Sequence, residues 1–292
     1  MSDTQGHQAQ SAHRIADTIA AMHMPGGRGR PQVVAHRGSS AHRAEHTLGA
    51  YVKALDDGAD ALECDVRLTA DGHLVCVHDR RVDRTTNARG VVSTFTLDQL
   101  NDLDAASWKT PWSDLDDEGA EIDQEHNRVL TLRRLLEVVR DYDRTIEVAV
   151  ETKHPTRYAG LVERRLVGLL EEFDWDGFGS PVRVMSFSGV ALTRIQRLAP
   201  ALEVVLLIEG TSWKVTRGIL RPGWIAGPGI DELRQHRRLA GRLRERGHRI
   251  QVWVVNTEAD LELCLSIGAE AVITDRPEHI LGLLDGIPAR GV

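Results

Sequence analysis

From Gln32 onward, short runs of aliphatic and β-branched residues alternate with segments whose apolar positions recur at helical spacing. Gln32-Val33-Val34-Ala35-His36 reads as a strand. Leu48, Tyr51, Val52 and Leu55 then follow an i, i+3, i+4, i+7 pattern, with Thr47 placed as N-cap and Gly58 just past the end. A second strand covers residues 61–68. A third, 146–152, follows a helix carrying Leu132, Leu135, Leu136 and Val139. The fourth, 182–187, precedes a helix with Leu192, Ile195 and Leu198 that stops at Pro200. Residues 204–208, 224–226, 250–255 and 271–274 supply four more strands. The helices among them carry Leu239 and Leu243, start at Thr257 with Asp260 three residues on, or begin near Pro277. Parallel strands buried on both faces read as continuous apolar runs and need helical crossovers. Eight strand–helix units therefore predict an α/β fold, a (β/α)8 TIM barrel. The alternative, an open doubly wound sheet, lacks its Gly-x-Gly-x-x-Gly turn after the first strand.

One stretch breaks the rhythm. About 80 residues, 69–145, separate the second and third strands, too many for a simple crossover. Residues 61–68 and 74–78 are both strand-like and lie only five residues apart, so they predict an antiparallel hairpin. Taking Asp71-Gly72 as a two-residue turn pairs Ala70 with His73 and sets Asp65 opposite His78, with Glu63 on the same face. That register puts Cys64 and Cys76 on opposite faces, which argues against a disulfide between them. The remainder, about 80–128, is polar, carries Trp108, Trp112 and an acidic run at 114–118, and reads as a small insertion over one end of the barrel. The expected organisation is a flexible N-terminal tail over 1–30 and one barrel domain over 31–292.

Composition narrows the function classes. The chain has 292 residues, a net charge of −7 and a pI of about 6.0, which argues against a nucleic-acid binder. No apolar run reaches the ~18 residues of a membrane span, and residues 1–30 do not read as a secretory leader, so a cytoplasmic protein is expected. Its three cysteines, Cys64, Cys76 and Cys264, match neither a disulfide framework nor a zinc site and read as buried small hydrophobes. The basic stretch at 234–246 reads as the wet face of a helix, with membrane contact a minor alternative.

Function in such barrels sits at the C-terminal ends of the strands. The first strand ends in His36-Arg37, the second delivers Glu63 and Asp65, the third delivers Glu151 and Lys153, and the hairpin returns His78. Three carboxylates are oxygen ligands for one hard divalent cation, Mg2+ or Ca2+. Arg37 and Lys153 add charge that suits a phosphate group. Two histidines can divide proton transfer because imidazole titrates near neutrality. The chemistry that fits is metal-assisted phosphodiester cleavage.

The same residues carry a resemblance. Val34-Ala35-His36-Arg37-Gly38, Leu62-Glu63-Cys64-Asp65-Val66, Asp71-Gly72, Val77-His78-Asp79, Asp83-Arg84-Thr85-Thr86-Asn87, Glu151-Thr152-Lys153, Ser186-Phe187, Val252-Trp253-Val254-Val255-Asn256 and Ile273-Thr274-Asp275 resemble, in order, the glycerophosphodiester phosphodiesterase pattern. The resemblance spans about residues 33–277. It implies a barrel with an insertion, Mg2+ or Ca2+ dependence, and hydrolysis of glycerophosphodiesters to glycerol phosphate and an alcohol. Carried over by position, His36 and His78 are the acid/base pair, Glu63, Asp65 and Glu151 hold the metal, Arg37 contacts phosphate, Lys153 contacts phosphate or the metal-bound group, and Trp253 walls the glycerol or alcohol moiety.

Where that pattern has Pro-Glu-Asn-Thr, this chain reads Ala44-Glu45-His46-Thr47. Ala88 and Ala106 stand where Gly is frequent, and Val254 stands for Thr. These departures bear on substrate choice more than on reaction class. The competing readings are a phospholipase D-like enzyme acting on lysophospholipids or sphingomyelin, a non-catalytic phosphate-ester sensor, and a Schiff-base aldolase using Lys153. The carboxylates around Lys153 argue against the last, because they favour a charged amine. The expected partner is a small glycerophosphodiester; no nucleic acid is expected, and the oligomeric state is open.

Overall fold

A computed structural model of the chain describes residues 29–109, 127–153 and 160–285. Its strands are β1 (Gln32–His36), β2 (Ala61–Leu68), β3 (Leu74–Cys76), β4 (Glu147–Thr152), β5 (Val182–Ser186), β6 (Glu203–Ile208), β7 (Ile225–Pro228), β8 (Gln251–Val252) and β9 (Ala271–Thr274). Eight of them run parallel in the order β7-β6-β5-β4-β2-β1-β9-β8, and β3 pairs antiparallel with β2. Single parallel bridges, Ala226 to Ile250 and Gly229 to Trp253, join β7 to β8. The barrel is thus nearly closed, as the alternation of strand and helix patterns requires.

Helices α1 (Leu48–Asp56), α2 (Leu97–Asn101), α3 (Leu132–Arg140), α4 (Leu161–Glu172), α5 (Gly189–Leu198), α6 (Trp213–Ile219), α7 (Ile230–Gln235), α8 (Leu239–Glu245), α9 (Glu258–Ser266) and α10 (Pro277–Asp285), with a short 3-10 helix at Val92–Thr94, complete the described elements. Side-chain oxygens of Thr47, Thr131, Ser188 and Thr257 cap α1, α3, α5 and α9. No helix among the described residues is long and apolar enough to cross a membrane.

Period-two alternation sorts each strand's residues into two cores. Val34, Ala61, Ala149, Met185, Val205, Leu207, Ile225, Ala271 and Ile273 fill the barrel interior. Val33, Ala35, Leu62, Cys64, Val148, Val150, Val184 and Val272 face outward to the helices. At the N-terminal end of the strands, buried Arg183 bonds Glu147 at 3.0 Å, and Arg249 bridges Glu203 and Glu270. Polar groups at this end support the fold, since chemistry belongs to the opposite end. Of the basic stretch at 234–246, Arg234 pairs with Asp231 and Asp260, and Arg242 and Arg246 lie over the Trp213 ring.

The hairpin corrects one expectation. Its partners are Val66–Cys76, Arg67–Val75 and Leu68–Leu74, one residue out of the expected register. The loop holds three residues, Ala70-Asp71-Gly72, closed by Thr69 N–H to His73 C=O at 3.0 Å. Gly72 adopts φ +85, the left-handed residue that ends a three-residue loop and that an Asp-Gly pair supplies as readily as it supplies a two-residue turn. Asp65 therefore faces Val77 rather than His78, with Val77 N–H on Asp65 C=O at 2.9 Å. Cys64 and Cys76 share the outward face, not opposite ones. They are free thiols in one apolar cluster.

Of the inserted region, residues up to 109 pack Val82, Val92, Leu100 and Ala105 against Val75 and Val77 of the hairpin and Val129. Lys109 donates to Ser40 C=O at 2.9 Å, bringing this segment to the strand C-terminal rim. Trp108 donates its indole N–H to Ala105 C=O, and its ring lies under the Arg84 guanidinium. Trp112, the acidic run at 114–118 and the tail over 1–28 lie outside the described residues.

Candidate active site

β1 ends by placing His36 beside Glu63 of β2 in register. The chain then turns through Arg37 and Gly38, with φ of +57 and +84. Only glycine fits the second position. A Cβ there would lie 2.6 Å from the Ala50 carbonyl carbon of α1, so the loop lies directly on that helix. This turn aims the Arg37 N–H at Glu63 Oε2, 3.0 Å away, and its guanidinium into the rim.

β2 and β4 bring the three carboxylates together. Asp65 and Glu151 are register partners, and Glu63 projects from the same inner face. One oxygen of each lies within 4.8 Å of the others, and all three residues are buried. Lys153 Nζ sits 2.9 Å from Asp65 Oδ1 and 2.7 Å from Glu151 Oε1. Arg37 Nε lies 3.0 Å from Asp65 Oδ2, but its N–H is not aimed at that oxygen; the contact is an ion pair, not a hydrogen bond.

Three buried carboxylates against two cations leave one negative charge in excess. Burial and then repulsion from Asp65 push the Glu151 carboxyl up to about 8, and the same two causes push Glu63 well above the usual range. Burial also penalises ionised Asp65, but the His46 hydrogen bond and the charges of Lys153 and Arg37 outweigh it, so this carboxyl is held low. A cluster of oxygen donors that lacks the positive charge to ionise together fits one hard divalent cation. His46 Nε2 lies 2.9 Å from Asp65 Oδ2, and its Nδ1 lies 2.8 Å from the Tyr51 hydroxyl.

The two expected catalytic histidines have matching supports. His36 Nδ1 faces Asp275 Oδ1 at 2.6 Å, while Asp275 also accepts from Ser40 Oγ at 2.9 Å and Asn256 Nδ2 at 2.6 Å. Burial works against the Asp275 charge, yet the bonds from His36, Asn256 and Ser40 keep its carboxyl below the usual range. His78 Nδ1 faces Asp79 Oδ1 at 2.9 Å, and burial lowers the His78 imidazole's affinity for a proton. Asp79 accepts from Arg84 Nε at 2.6 Å. Arg84 grips Glu45 with two bonds of 2.7 Å, and Glu45 holds Arg37 at 3.0 Å. Burial opposes ionised Glu45, but these arginines hold its carboxyl at about 2. Since β3 ends at Cys76, His78 reaches the site by leaving the ladder, with its C=O gripped by Arg67 at 2.7 and 3.0 Å.

Trp253, also at the rim, gives its indole N–H to Gly227 C=O at 2.7 Å. It therefore offers a ring face rather than a donor, and Phe187 meets that ring edge-on at 5.6 Å. Sequence reasoning did not assign Asp275, Asn256, Ser40, Asp79, Arg84, Tyr51 or Phe187. The rim rule, carried on to the ends of β8 and β9, marks Asn256 and Asp275; nothing in the pattern marks Tyr51, which lies on α1.

A sequence profile described as the glycerophosphoryl diester phosphodiesterase family matches residues 36–279. The chain belongs to this family. A Mycobacterium tuberculosis protein named "Probable glycerophosphodiester phosphodiesterase 1" is 42% identical over 271 residues, covering 90% of this chain and 96% of that protein. A glycerophosphodiester phosphodiesterase of Caldanaerobacter subterraneus is 30% identical, covering 86% of this chain and 97% of that one. Among solved structures, a phosphodiesterase of Oleispira antarctica in complex with the product sn-glycerol-3-phosphate superposes with a TM-score of 0.73 at 24% identity, covering 88% of this chain and 97% of that one. This last likeness is one of fold.

Proposed function

We propose that this family member hydrolyses glycerophosphodiesters to glycerol 3-phosphate and an alcohol, with one divalent cation, Mg2+ or Ca2+, held by Glu63, Asp65 and Glu151. The observation that carries the reading is the buried carboxylate triad set among two cations and two carboxylate-supported histidines. Activity on a glycerophosphodiester is also what the names of the relatives state.

When bound, the cation would offset negative charge on the phosphoryl oxygens. Arg37 and Lys153 hold the anionic phosphate over the triad, where burial excludes water and strengthens each contact. His78 begins neutral, and donation of Nδ1–H to Asp79 leaves Nε2 free to take a proton from the attacking oxygen. His36 gives Nδ1–H to Asp275, so its Nε2 proton is the one delivered to the leaving alkoxide. Trp253 and Phe187 form an apolar wall for the organic part of the ester.

The test is release of glycerol 3-phosphate from glycerophosphocholine, glycerophosphoethanolamine and glycerophosphoinositol, with and without chelator, in the wild type and His36→Ala. Chelator-sensitive release lost in the variant supports the reading. Release of choline and lysophosphatidic acid from lysophosphatidylcholine, with no turnover of the glycerophosphodiesters, would instead favour the phospholipase D-like activity that the exposed Phe187 edge also suits.

A further inference from the structure

His46 is one of the two residues, with Ala44, in which this chain departs from the Pro-Glu-Asn-Thr pattern, and it is fully built into the site. It is 5% exposed, and its backbone sits at φ +62, a conformation in which Asn and His are over-represented. Its Nε2 faces Asp65 Oδ2 at 2.9 Å. A nitrogen this close to an ionised carboxylate carries its proton there, so Nε2–H is the donor. The opposite nitrogen, Nδ1, lies 2.8 Å from the Tyr51 hydroxyl, and the same hydroxyl lies 3.2 Å from the Glu63 C=O. Tyr51 is wholly buried in the outer core on α1. One side chain anchored in the helix layer thus holds the imidazole at Nδ1 and touches the strand that carries two of the three carboxylates.

We propose that His46, held by Tyr51, is a positioning residue for the cation site: it pins Asp65 Oδ2 so that the carboxylate is pre-oriented before the ion arrives. This rests on the cation reading above. Besides the two other carboxylates, Asp65 meets two cations. Lys153 holds Oδ1, and Arg37 contributes an ion pair without an aimed hydrogen bond, so His46 supplies the directional bond on Oδ2. Partners of metal ligands that orient them in this way typically set metal affinity by about 10- to 100-fold.

The experiment titrates metal-stripped full-length protein with Mg2+, Ca2+ and Zn2+ by calorimetry. It compares the wild type with His46→Ala, His46→Asn and Tyr51→Phe, and records thermal midpoints in chelator. His46→Ala is expected to lose about 10- to 100-fold in Mg2+ or Ca2+ affinity. His46→Asn keeps an N–H donor on a backbone that suits Asn, and is expected to stay within about threefold of wild type. Tyr51→Phe is expected to show a smaller loss, with a chelator-state midpoint that does not track it. Unchanged affinity in His46→Ala overturns the proposal, as does a loss in His46→Asn equal to that of His46→Ala. A wild-type preference for Zn2+ that vanishes in His46→Ala would make the imidazole a direct ligand, and overturns it too. If His46→Ala does not fold, unchanged affinity in Tyr51→Phe refutes the proposal and the loss stated above supports it. A wild type that binds no cation fails the underlying reading instead, a result distinct from all of these.

Discussion

Replacing Asp275 with Asn preserves the shape of the His36 support while removing its charge. The carboxylate accepts three donors, from His36, Ser40 and Asn256. An Asn amide has one acceptor oxygen. If the Asn256 donor keeps it, the amide NH2 takes the Oδ1 position and faces His36 Nδ1, which can then no longer hold a proton there. The doubly protonated imidazole that delivers the Nε2 proton then loses both its counter-charge and the acceptor for its Nδ1–H. Charge centres about 4 Å apart interact by about 4 kcal/mol at an effective dielectric of 20. The Asp275 side chain is 32% exposed, and solvent screening cuts this to about 2–3 kcal/mol. At 1.36 kcal/mol per tenfold, kcat is expected to fall about 30- to 150-fold, with KM nearly unchanged. The assay is initial-rate release of glycerol 3-phosphate at saturating cation, alongside the thermal midpoint. A folded variant whose kcat stays within about threefold of wild type would refute the role given to Asp275.

Other outcomes follow from the same geometry. Glu151 and Glu63 are pushed up, Glu151 to about 8, so near neutrality the free site holds protons that an incoming cation must displace. Binding is therefore expected to release protons near neutrality and to tighten as pH rises toward 8, and calorimetry in buffers of different ionisation enthalpy reads this directly. A pH-independent affinity would contradict it. Gly38→Ala combines a left-handed backbone with a Cβ 2.6 Å from Ala50, and is expected to destabilise by about 2–4 kcal/mol in denaturant unfolding. A loss below about 0.5 kcal/mol would mean that the turn tolerates a side chain. Phe187 is 44% exposed at the wall. Phe187→Ala is expected to leave stability within about 1 kcal/mol and to raise KM more than it lowers kcat, differing between ester substrates; equal effects on every substrate would remove it from the wall.

The barrel was legible because strands buried on both faces leave near-continuous runs such as Val204-Val205-Leu206-Leu207-Ile208. Positions at strand ends then placed Glu63, Asp65 and Glu151 on one rim. The hairpin register was not legible, since Asp-Gly serves loops of two or three residues and one residue of slip exchanges the faces. Cys64 and Cys76 came to share a face for that reason. His78 nevertheless reached the site, by a bend beyond β3 that no alternation rule describes. The supports were the least visible part. His36 and Asp275 are 239 residues apart and meet only because β1 pairs with β9. The arm from Asp79 through Arg84 to Glu45 likewise joins separate loops, and no local pattern encodes it.

The most direct test of the account is metal content measured together with turnover. Chelated, dialysed protein is titrated with Mg2+ or Ca2+ while bound metal per chain and glycerol 3-phosphate release are followed in parallel, with Glu63→Gln as the comparison. No turnover is expected without metal, with recovery in step with one ion per chain and a Glu63→Gln protein that neither binds nor recovers at the same concentrations. Full turnover from protein shown to be metal-free would contradict it.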